Sequence, residues 1–156
     1  MQLLTFTVAG QTYAIESRRV IEVLPLVPAR PIPHMPGFIR GIFTYRGRLV
    51  PLVDLALLLA VGQLQERLST RVIVVEYAAA GRESQRLGLV AENVISVCSA
   101  EDAEASLPSL EFGSAPFLGR ILRIGGHTIQ LLEVEKLLPG DVSSGLFPAI
   151  PTVVPQ

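Results

Sequence analysis

Two carboxylates, Asp54 and Glu133, hold matching places in a sequence that repeats itself, and such a pair is one way for two acids to share a catalytic proton. The surrounding residues argue against that chemistry. Asp54 precedes Leu55-Ala56 and Glu133 precedes Val134-Glu135, without the small hydroxyl and glycine residues that hold such a dyad. An acid just ahead of a short helical turn is a natural cap. His34, His127 and Cys98 share no metal-ligand spacing, so no metal or cofactor is expected. Phosphate-binding glycine loops, a nucleophile elbow and a Ser/His pattern are absent, and the chain reads as a non-enzyme.

A second pair, Glu22 and Arg46, stands out against the repeat. Residues 37–59, GFIRGIFTYRGRLVPLVDLALLL, return without a gap as 116–138, PFLGRILRIGGHTIQLLEVEKLL. Phe38 meets Phe117, Ile42 meets Ile121, Gly47 meets Gly126 and Leu52 meets Leu131. A weaker echo sets Val20, Ile21 and Val23 against Val94, Ile95 and Val97, and Leu24 against Cys98, which makes Cys98 a small core residue. In these alignments Glu22 answers to Ser96 and Arg46 to Gly125, so the duplicated core does not require the charges. Beside Val20, Val23 and Tyr45, a carboxylate and a guanidinium would mark an apolar docking face. An ordinary exposed ion pair is the other reading.

The elements that position these residues are short strands. Leu3–Ala9 alternates and turns at Gly10-Gln11 into Thr12–Ile15; Ser17 offers a cap to a helical turn over Arg18–Ile21. Five prolines between Pro25 and Pro36 exclude a helix or a central strand there. Hairpins follow at 42–53 and 118–132, with strands at Arg71–Tyr77, Arg86–Val90 and Asn93–Val97, and an acidic solvated loop is expected over Ala100–Ser114. One unit used twice, with little room for a long helix, predicts an all-β protein of two small barrels packed side by side. With 156 residues, about half of them apolar, and a net charge of -1, the chain has enough to bury a core and no charge cluster for nucleic acid. The longest apolar run, Leu49–Val61, is broken by Pro51 and Asp54 and is too short to span a bilayer, so a cytoplasmic location is expected.

Tyr13-Ala14-Ile15, Val20-Ile21-Glu22-Val23, Phe38-Ile39-Arg40-Gly41, Tyr45-Arg46-Gly47 and Val50-Pro51-Leu52-Val53-Asp54-Leu55, then Arg71–Val75 and Leu131–Leu138, together resemble the CheW-like family of chemotaxis coupling proteins. The resemblance implies two SH3-like five-stranded barrels on a shared hydrophobic core, with a few short helices. It implies a single domain over 1–140, the first barrel about 1–66 and the second about 67–140, with strands able to exchange between them, followed by a Pro-rich apolar tail over 141–156. The implied function is an adaptor that joins chemoreceptor cytoplasmic tips to the regulatory domain of a CheA-type histidine kinase, in arrays where self-association also belongs. The partner-binding residues carried over are Glu22 and Arg46, with Val20, Val23, Thr44 and Tyr45 around them; Thr44 and Tyr45 stand where the family has Asn and Leu. A different reading is an SH3-like module that takes a Pro-rich or apolar strand, its own tail over Leu146–Pro155 included.

Overall fold

A computed structural model describes residues 1–78, 83–109 and 113–147. Its strands are β1 Gln2–Val8, β2 Gln11–Glu16, β3 Val20–Pro25, β4 Ile39–Tyr45, β5 Arg48–Asp54, β6 Arg71–Tyr77, β7 Gln85–Ala91, β8 Asn93–Ser99, β9 Ala105–Leu107, β10 Leu118–Ile124 and β11 His127–Leu132. Two short helices are added, α1 Leu55–Leu59 and α2 Gly140–Leu146. No helix among the described residues is long and apolar enough to cross a membrane.

The strands form two sheets, ordered β8-β1-β2-β11-β10-β9 and β3-β6-β7-β5-β4. The first sheet draws on both ends of the sequence, the β1–β2 hairpin lying with β8–β11, while the second is built from the consecutive strands β3–β7. The sheets are the same unit built twice, down to individual pairings. Leu52 pairs in parallel with Gly88 as Leu131 does with Ala14, and Glu22 faces Val74 as Ser96 faces Thr5, next to a register shift in both sheets. The amide of Asp54 donates to the Phe38 carbonyl at 2.7 Å, and that of Glu133 to the Phe117 carbonyl at 2.8 Å.

Alternation along the strands divides the apolar residues among three cores. Phe43, Tyr45, Val50, Leu52, Val72, Val74 and Val90 fill the β3–β7 unit. Leu3, Ala14, Leu122, Ile129 and Leu131 fill the other. The opposite faces, including Phe6, Ile15, Val53, Ile73, Leu87 and Leu89, meet in a larger core shared between the two. Three two-residue hairpin turns among the described residues put both central residues in the left-handed region: Ala9-Gly10, Arg46-Gly47 and Gly125-Gly126. Such turns match the twist of the strands they join.

Two local expectations differ from the structure. Ser17 opens a single 3-10 turn, Ser17–Arg19, instead of capping a longer one, and Val20 and Ile21 already belong to β3. The segment expected as a solvated loop contains β9, whose three residues are exposed and pair through their backbone with the edge of β10. Side-chain alternation carries no signal for a strand held only by its amides and carbonyls. Within the proline-rich connection, Arg30 makes a reciprocal backbone pair with Ile42, 2.9 Å each way.

Candidate docking site

Glu22 lies on β3 and Tyr45 ends β4, the two outermost strands of their sheet, and the sheet curls until these edges meet. One carboxylate oxygen of Glu22, Oε1, accepts from the Tyr45 hydroxyl at 2.5 Å and from Nη2 of Arg46 at 2.8 Å. The Arg46 guanidinium lies over the Tyr45 ring, 5.1 Å from its centroid, and that of Arg86 lies over the same ring at 5.7 Å. Hydrogen bonding to Glu22 raises the Tyr45 phenol above its ordinary pKa, because the carboxylate holds the proton on the oxygen.

Burial separates what this cluster does for the fold from what it offers to a partner. The Tyr45 ring is 5% exposed and is part of the barrel core, whereas the Arg46 side chain is 62% exposed and that of Glu22 38%. A pair so open to water contributes little to stability. Arg46 also adopts φ 49°, a conformation that disfavours a side chain and that its counterpart, Gly125 at φ 57°, reaches freely.

Of the six residues singled out from the sequence, the fold brings Glu22, Tyr45 and Arg46 into contact. Thr44 precedes them on β4 and is exposed, Val23 is 37% exposed on β3, and Val20 packs partly against the shared core. Arg86, at the start of β7, was not singled out; one basic residue at the head of an apolar strand gives no pattern, and only the pairing of β7 with β5 and β6 brings it to Tyr45.

The other candidate groups have structural partners. Asp54 is buried, accepts from the Leu57 amide at 3.2 Å as the cap of α1, and takes Nε of Arg40 at 3.0 Å, while Arg40 also reaches Glu66 at 2.9 Å. Glu133 pairs with Lys136 at 3.4 Å. Cys98 packs against the core of the second unit, and burial pushes its thiol pKa up, away from nucleophilic use. Among the described residues no group of three or more His, Cys, Asp or Glu is placed to hold a metal.

The sequence and the fold have counterparts in known proteins. The model of the CheW-like domain matches residues 2–141. The chain belongs to the CheW-like family. It is 25% identical to the chemotaxis protein CheW of Rhizobium meliloti over 90% of this chain and 88% of the relative. Protein FrzA of Myxococcus xanthus is 31% identical over 85% of this chain and 82% of the relative. The crystal structure of the scaffolding protein TtCheW from Thermoanaerobacter tengcongensis superposes with a TM-score of 0.74 at 26% identity, covering 90% of this chain and 89% of that one. The all-β fold of two barrels expected from the repeat, with the SH3-like subdomains that the resemblance implied, is therefore the fold of this chain. Residues 148–156, most of the tail considered as a peptide ligand, lie outside the described residues.

Proposed function

We propose that this CheW-like chain is a non-enzymatic chemosensory adaptor, cytoplasmic and recruited to receptor arrays, that couples receptor cytoplasmic tips to the CheW-like regulatory domain of a CheA-type kinase. Family membership supports the adaptor role, and the names of its relatives support a chemosensory setting. The observation that carries the docking site is the Glu22–Tyr45–Arg46 cluster: an exposed cation held at a costly backbone angle, present in one copy of a duplicated unit and absent from the other. Signal would pass as differences in contact between states, since an adaptor can bias its partners only through differential affinity.

Reversal of the cation tests this assignment. Arg46→Glu places two carboxylates together at the docking face, and we expect at least tenfold weaker association with a receptor cytoplasmic fragment or with the kinase regulatory domain, measured by calorimetry. The thermal midpoint should move by only a few degrees, because an exposed pair is worth about 1 kcal/mol or less. Unchanged affinity for both partners would remove the cluster from the docking site.

A further inference from the structure

The internal repeat also separates the two units by charge. In the first, Arg40 lays its guanidinium on the carboxylate of Asp54, with Nε donating to Oδ2 at 3.0 Å, and its Nη1 reaches Glu66 at 2.9 Å. In the second, Gly119 stands at the place of Arg40 and Glu133 at that of Asp54. The acid is kept and the base is not. The backbone around the two places is alike: the register shifts beside Arg40 and beside Gly119, and Asp54 and Glu133 donate their amides to the matching carbonyls of Phe38 and Phe117. A side chain at 119 would start toward the acid, since a Cβ there would lie 3.3 Å from Cβ of Leu131 and 3.6 Å from Cγ of Glu133.

Gly119 opens onto a pocket of ≈ 280 Å³, which it lines together with Glu16, Arg19, Arg120, Glu133 and Glu135. Three carboxylates there meet two guanidinium groups, and the pairs they form leave acceptors open. Arg19 approaches Glu135 only to 3.8 Å. Arg18 and Lys136, the partners of Glu16 and Glu133, are not among the lining residues. The Glu133 side chain is 36% exposed against 8% for Asp54, so its carboxylate can take a second donor beside Lys136 at 3.4 Å.

We infer that this pocket binds a guanidinium group, the end of an arginine-like ligand, which lies on Glu133 as Arg40 lies on Asp54. The first unit supplies the template, a guanidinium shared between two carboxylates, and Glu16 and Glu135 stand ready for the remaining donors as Glu66 does for Arg40. The planar fork of a guanidinium matches a carboxylate through two parallel N–H bonds, and an ammonium has no such fork. The site shares no residue with the Glu22–Tyr45–Arg46 cluster and does not depend on the adaptor reading.

The probe is N-propylguanidinium, the arginine side chain without its backbone, titrated into the full chain and followed by NMR. The amides of Gly119, Leu131 and Glu133 should shift together and saturably, with a Kd on the order of 1 mM, and propylammonium at the same ionic strength should bind about fivefold more weakly or worse. Glu133→Gln keeps the shape and removes the charge, and it should cost about fivefold or more in affinity. Gly119→Arg supplies the guanidinium from within the chain and should abolish the shifts, whereas Gly119→Ala adds the Cβ alone and should leave the affinity within about threefold. If Gly119→Arg fails to fold, Glu133→Gln and the ammonium comparison decide. Free arginine and N-acetylarginine methylamide separate the sources: tighter binding of the first marks a small molecule, and of the second an arginine held in a peptide. The site is overturned by the absence of a saturable shift, by equal binding of the ammonium, or by unchanged affinity in Glu133→Gln. A pocket that answers to acetate and not to the guanidinium also overturns it, because Arg19 and Arg120 would then set its preference.

Discussion

Tyr45 links the core to the surface, with its ring inside the barrel and its hydroxyl on Glu22. A phenol whose pKa is raised on folding contributes stability that is fully present below its unfolded value near 10 and is lost as pH rises through the folded value. The chain has three tyrosines and no tryptophan, so absorbance near 295 nm follows phenolate formation cleanly. Glu22→Ala should bring one of the three ionisations down toward the ordinary range; a titration curve identical to that of the native chain would show that the hydrogen bond does not set this pKa. Arg46 gives the complementary case. Replacing it with glycine relieves the left-handed angle, so Arg46→Gly should leave stability equal or raise it by up to about 1 kcal/mol while partner affinity falls, as read by denaturant midpoints and calorimetry. A loss of stability as large as the loss of binding would make Arg46 a structural residue.

At the scale of elements, the two sheets differ in how they fill the same space. Gly88 occupies the place that Ala14 holds in the other unit, and a Cβ on it would lie 2.7 Å from Cε1 of Phe43, 2.9 Å from Cγ1 of Val72 and 3.0 Å from Cδ1 of Leu52. The counterpart of Phe43 is the smaller Leu122, so each core balances one large residue against one small. Gly88→Ala should cost about 1–3 kcal/mol through overpacking. Adding Phe43→Leu should recover much of that loss by recreating the other unit's pair, which a double-mutant cycle in urea would show. Additive losses would mean that the cores are not interchangeable at this layer. The hairpins and the capping role of Asp54 were legible because turn residues, alternation and an acid before an apolar helical turn are local signals. β9 was not, because an exposed Ala-Ser-Leu is held by backbone pairing alone.

Over the whole molecule, the duplication was legible as a sequence repeat, and the break in it at Glu22 and Arg46 identified two residues that the fold brings to 2.8 Å. The third group over the ring, Arg86, was hidden because its contact with Tyr45 depends on β7 joining the sheet of β3–β5. The pairing of strands between the two ends of the chain has no local signature either. Tyr13 and Ala14 in β2 find their partners at Gln130 and Leu131 in β11. The β1–β2 hairpin must therefore wait for a strand more than 100 residues further on, carrying Leu3 and Ala14 without Leu122, Ile129 and Leu131 in the meantime. For a protein made in this order, the hazard of aggregation lasts until β11 has been made, and that strand works as a clasp that closes the unit of β1, β2 and β8–β11.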